Sequence, residues 1–310
     1  EHGDAGGRSE RAESRLRVDT WSGRAPSGRP RARNVILLLG DGMGAAHRTA
    51  ARLVSRGLHH GRARGRLAMD TLPVTGLVMT SALNDAITDS SPGMSSYVTG
   101  QKHNNNQEGV FPDNTPDAFD NPRIEYFGEI LRRTRGAGFH VGIVTTADVT
   151  DSTPAANAVH TSSRFAGAGI AQRFFDERAT NGVSVLMGGG AAHFLPKAAG
   201  GSRPDQRNLL EEYTRAGYAP VRNATEMRTL LDPARPAPTA VLGLFHQSHL
   251  PVAFDRVGAG KYSEELALEK NAAYRDVPML EDMTRTALRS LEAHSPAGFY
   301  LMVEGASIDK

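Results

Sequence analysis

The sequence contains no cysteine among its 310 residues. That excludes disulfides, thiolate zinc sites and a cysteine nucleophile, so any bound metal has to sit on Asp, Glu, His, hydroxyls and water. The compartment stays open, because many exported proteins also lack disulfides. No apolar run comes near the roughly 18 residues that span a bilayer. An excess of one charge is missing as well: 36 Lys and Arg face 34 Asp and Glu, and this near balance gives no reason to expect a nucleic-acid partner. What is present is globular in character, 39% hydrophobic and 23% charged, in a length that suits one large domain or two modest ones.

Residues 1–32 are rich in Arg, Gly, Ser and Glu and are expected to form a disordered tail. Residues 33–310 carry the pattern of one folded domain. The run Val35-Ile36-Leu37-Leu38-Leu39 predicts a strand buried on both faces. A helix over 45–55 and a second strand over 74–80 follow, then a helix over 91–97 with Ser90 or Ser91 as its cap. Further helices are expected over 124–135, 165–178, 208–216 and 279–293, and strands over 139–145, 183–187, 240–245 and 298–303. The alternation predicts an α/β fold, a mainly parallel central sheet flanked by helices. Residues 102–122 form a long polar loop, either functional or an irregular insertion. The first residue is not Met and the last ten resemble a strand running into a site loop, so a fragment is expected.

Sites in parallel α/β sheets form beyond the carboxyl ends of the strands. Oxygen ligands collect at four such places: Asp41 between glycines, Asp89 and Ser90, Asp151 with Thr153, and Glu304 with Asp309. Each has a bland alternative. Asp41 suits a turn, Ser90 suits a helix cap, Thr153 before Pro154 suits a helix start, and Glu304 suits an ordinary loop. Together they favour a metal site, because carboxylates gathered at one sheet edge repel one another unless a cation lies between them.

The segments from Asn34 to Gly44, from Thr88 to Gly100, Asp151-Ser152-Thr153-Pro154 followed by His160 to Arg164, and Val303 to Lys310 resemble, in this order, the signature segments of the alkaline phosphatases. The resemblance implies that family's three-layer sandwich, incomplete at the carboxyl end, and a catalytic domain over 33–310. It implies a metal-dependent phosphomonoesterase with a phosphoserine intermediate on Ser90 and Arg164 gripping the phosphate. Asp89 would position that guanidinium and Lys310 would reach the phosphate through water. Asp41, Ser90, Thr153, Glu304 and Asp309 would be metal ligands, with Asp151 holding metal-bound water, for two zinc ions and one magnesium. Phosphate monoesters, a homodimer and a periplasmic or secreted location are implied in the same way. The family's remaining zinc ligands have no counterpart among the 11 histidines here, so the fragment is expected to be weakly active or inactive.

The chemistry agrees with this. A serine hydroxyl becomes a nucleophile near neutrality when a bound cation lowers its pKa. Arg matches two phosphate oxygens with one planar fork. Three other readings compete. The glycines of Gly40-Asp41-Gly42 after a strand fit a dinucleotide-binding oxidoreductase, but Asp41 would face the pyrophosphate. A sulfatase-like site would need Arg where Met94 stands. A phosphodiesterase would differ mainly in pocket shape, and Arg164 favours the dianionic monoester.

Overall fold

Residues Val35–Gly40 form β1, and the following helix α1 spans Ala45–Arg56. The computed structural model describes residues 32–113, 115–253, 256, 274 and 276–309. The expected tail lies outside these apart from Ala32, and so does Lys310. The chain divides into the units Glu1–Arg33 and Asn34–Lys310, and every element named here belongs to the second.

A two-residue ladder joins β2 (Leu58–His59) to β3 (Arg62–Ala63). Next come α2 (Ser90–Thr99), α3 (Phe127–Arg135), β4 (His140–Asp148), α4 (Ser152–Ala155), α5 (Gly167–Asp176) and α6 (Arg178–Asn181). The remainder comprises β5 (Val183–Gly189), α7 (Leu209–Arg215), β6 (Ala219–Val221), α8 (Ala224–Leu230), β7 (Val241–Leu244), α9 (Leu280–His294) and β8 (Phe299–Gly305). The main sheet runs β1-β8-β4-β5-β7-β6 with every pair parallel. Helical crossovers are what a parallel sheet requires, and they cover both faces of its central strands.

Successive strand residues point to opposite faces, and the two cores follow that period. Ile143, Leu186, Leu242 and Met302 pack with Met94 and Val98 of α2 and Ile170 and Phe174 of α5. Their neighbours Val144, Val185, Val241 and Leu301 pack on the other side with Met283, Ala287 and Leu291 of α9. The expected three-layer arrangement is therefore present. Fully burying each such side chain contributes about 1.5–3 kcal/mol.

Two expectations need correction. Residues 74–80 join no ladder, and their apolar side chains face solvent: Val74 is 82% and Met79 84% exposed. Among the described residues β1 pairs only with β8, and it too leaves apolar residues exposed, Leu38 at 72%. An apolar run records what a strand would bury but not whether a neighbouring strand exists to complete its hydrogen bonds. The second correction is an omission. β6 and α8 escaped notice because β6 is three residues long, contains Pro220, and sits at the sheet edge where proline is tolerated.

Candidate active site

The carboxyl ends of β1, β8 and β4 lie side by side, so their register brings separate sequence segments together. Leu39 and Thr145 flank Glu304, and Gly40 lies opposite Gly305. The Asp41 N–H donates to the Gly305 carbonyl at 3.2 Å. Gly42 has φ of +66°, and a Cβ there would stand 2.6 Å from Asp309 Oδ1. Only glycine lets the turn after β1 approach the chain after β8 so closely.

Glu304 is buried at the centre of this edge. Burial pushes its carboxyl up to about 7; the charges of Asp41 and Asp151 add to the push, and hydrogen bonds with Thr145 and Thr153 oppose it. Asp41, Asp151, Thr153 and Glu304 thus share one neighbourhood, as the sequence predicts. Thr145 is an unforeseen member. Its place opposite Glu304 depends on strand order, which the sequence does not display.

The second half of the site is built on α2. Asp89, not Ser90 or Ser91, is the helix cap: its Oδ1 accepts from the Ser91 N–H at 2.6 Å. The cap reading of Ser90 is thereby replaced, and Ser90 stands as the first residue of the helix. Ser91 Oγ donates to Ser152 Oγ at 2.8 Å in a fully buried contact that ties α2 to α4. Asp151 caps α4 in turn, accepting from the Ser152 N–H at 2.9 Å.

Arg164 joins the two halves. One guanidinium nitrogen lies 3.1 Å from Asp89 Oδ1 and another 2.9 Å from Asp151 Oδ1. Its side chain keeps 20% exposure, so the fork is held yet reachable from solvent. The structure therefore places Asp89, Asp151 and Arg164 in direct contact, Ser90 beside Asp89, and Asp309 against Gly42.

The histidines take other places. His160 is core: Nδ1 donates to the Gly109 carbonyl at 2.8 Å, the ring stacks on Tyr126, and Nε2 lies 3.1 Å from Glu129. His249 Nδ1 accepts from the Asp148 N–H at 3.0 Å. The same nitrogen lies 3.9 Å from Asp151 Oδ2. A cavity of about 990 Å³ lined by residues such as Leu195, Arg222 and Phe245 contains none of the expected site residues.

Buried Glu304 with Asp41, Asp151 and Thr153 is an all-oxygen donor set suited to magnesium. The carboxyl pushed up to about 7, by burial first and then by the charges of Asp41 and Asp151, is the electrostatic sign that a cation fits there. Zinc prefers nitrogen or sulfur ligands. Among the described residues no three or more His, Asp or Glu are drawn together closely enough to hold an ion, so neither the oxygen set around Glu304 nor the zinc pair is assembled by them as a closed site.

Fold and site together define a parallel α/β protein with an arginine fork and a serine-headed helix at one carboxyl edge of its sheet. The family model "Alkaline phosphatase" matches residues 32–310, and the chain belongs to the alkaline phosphatase family. It is 36% identical to the streptomycin-6-phosphate phosphatase of Streptomyces griseus, with 91% of this chain and 65% of that protein covered. It is 32% identical to the alkaline phosphatase of Escherichia coli strain K12, covering 90% and 61%. The Thermus thermophilus alkaline phosphatase structure superposes with a TM-score of 0.70 at 29% identity, covering 91% of this chain and 51% of that one. The chain thus spans about two thirds or less of the length of these relatives.

Proposed function

We propose that the whole protein to which this chain belongs hydrolyses phosphate monoesters through a phosphoserine on Ser90. The observation that carries this is the suspension of Arg164 between Asp89, which caps the helix opened by Ser90, and Asp151, which neighbours Glu304. A phosphate held by the Arg164 fork would sit at the start of that helix, where backbone N–H groups favour an anion. The Ser90 oxygen attacks phosphorus, the bond from phosphorus to the ester oxygen breaks, and the alcohol leaves. Water then releases phosphate from the serine. Dianionic monoesters suit the two-pronged guanidinium better than diesters do.

Asp41, Thr153 and Glu304, with Asp151 through water, would hold magnesium, and Asp41, Ser90 and Asp309 would contribute to two zinc sites. Bound there, the cations would stabilise the charge on the attacking and leaving oxygens. Lys310 would reach the phosphate through water. A homodimer and a periplasmic or secreted location complete the proposal; no helix among the described residues is long and apolar enough to cross a membrane.

The test is trapping. The full-length, metal-loaded protein incubated with inorganic phosphate at acid pH and quenched should carry an added phosphate mass on the peptide containing Ser90. Ser90→Ala should lose both that mass and turnover of p-nitrophenyl phosphate. An unlabelled Ser90, or a Ser90→Ala variant with undiminished turnover, rejects the reading.

A further inference from the structure

The polar loop beginning at residue 102 touches the site at its first turn. Asn105 Oδ1 accepts from the Asp89 N–H at 3.0 Å, and its Nδ2 donates to the Ile87 carbonyl at 3.2 Å. The Asn105 N–H donates to Asn84 Oδ1 at 2.9 Å. One residue on, the Asn106 N–H donates to Asp89 Oδ2 at 2.6 Å, and the Asn106 carbonyl accepts from the Arg164 N–H at 3.0 Å. Asn106 makes these last two contacts from φ of +70°, a conformation that Asn tolerates better than other side-chain-bearing residues. The strap continues to Glu108, which exchanges two backbone hydrogen bonds with Thr161, at 2.8 and 3.1 Å. The turn that presents Ser90 and the backbone of Arg164 are therefore bound to the same pair of asparagines.

We propose that Asn105 is a positioning residue for phosphoryl transfer, holding the turn from Ile87 to Asp89 so that Ser90 stands at a fixed place relative to Arg164. The inference rests on the phosphatase reading and adds to it a residue outside the phosphate-gripping and metal-ligating set. Its amide is suited to the task. One planar group supplies an acceptor to Asp89 and a donor to Ile87. Aspartate would set an oxygen against the Ile87 carbonyl, and alanine supplies neither group. The substitution removes only the two side-chain bonds, since the bond to Asn84 is made by the Asn105 backbone; Ile87 is exposed and Asp89 half-buried, so water can replace them and the fold loses little. What is lost is placement, and a shift on the order of 1 Å at a reacting group can cost roughly 100-fold in rate.

The experiment compares Asn105→Ala with the wild type in the full-length, metal-loaded protein. The probes are p-nitrophenyl phosphate as substrate and inorganic phosphate as inhibitor. The expected result is a fall in kcat of roughly 10–100-fold, with KM, phosphate inhibition and melting temperature nearly unchanged. Asp113→Ala, which removes a turn contact to Thr115 farther along the loop, should leave kcat unchanged. If Asn105→Ala does not fold, Asn105→Asp reports the same split between kcat and KM. A variant with wild-type kcat overturns the positioning role and leaves the phosphatase reading intact. A parallel loss of kcat, phosphate affinity and melting temperature also overturns it, as the mark of a merely structural residue. A wild type that does not turn over the monoester removes both.

Discussion

Asp89 shows how much one side chain can carry. It caps α2, holds one prong of Arg164 and accepts from the Asn106 backbone. Arg164 itself should account for phosphate affinity. Arg164→Ala is expected to weaken inhibition by inorganic phosphate by about 2 kcal/mol, roughly 30-fold, in the full-length protein. Arg164→Lys should recover only part of this, since it keeps the charge and loses the fork. Glu108 offers a second test at this scale. It is fully buried, and neither carboxyl oxygen has a hydrogen-bond partner among the described residues. Burial pushes its carboxyl well above the usual range; Arg164 opposes the push, and Asp151 and Asp89 add to it. A raised folded-state pKa means that its stabilising proton is fully present below about pH 4.5 and lost as pH rises through the folded value. Wild-type stability should therefore fall relative to Glu108→Gln by up to about 1.4 kcal/mol per pH unit across that window. Denaturant titrations at several pH values check this, and parallel curves for the two proteins would contradict it.

Among the elements, β5 ends in Gly188-Gly189 with Gly190 just beyond it, and the loop after β7 lies against this end. The Gly190 N–H donates to the Ser248 carbonyl at 3.1 Å, and a Cβ on Gly189 would come within 1.9 Å of that same oxygen. The obstacle is backbone, which cannot swing aside. Gly189→Ala should cost about 1–3 kcal/mol, read as a lowered denaturation midpoint, and displace the segment that carries His249. A midpoint equal to wild type would show that the loop yields freely. The elements that sequence reading located well are those with strong apolar runs: β1, β4, β5 and β8. It failed at 74–80 because the period of a strand was present without a partner. It missed β6 because three residues give no period to detect.

For the whole molecule, the edge of β1, which no other described strand pairs, and the exposed apolar residues around 74–80 have a consequence in solution. Unpaired strand edges and large apolar patches drive association. This 310-residue chain should self-associate with rising concentration, as followed by light scattering. Leu38→Lys combined with Leu77→Lys should reduce that association while changing stability by less than about 0.5 kcal/mol. Concentration-independent scattering from the unmodified chain would show that the edge is not adhesive.

The sequence by itself determined the alternating α/β layout, the apolar strands that build the sheet and the candidates for the site, because short-range periodicity and residue chemistry are written locally. Only the tertiary structure decided that Asp89 rather than a serine caps α2, that Arg164 bridges Asp89 and Asp151, that Thr145 meets Glu304 and that Asn105 meets Asp89. Apart from the cap, those relations depend on which strands lie adjacent and on groups meeting across 13 to 159 residues of chain. Such pairings leave no local pattern from which they can be deduced.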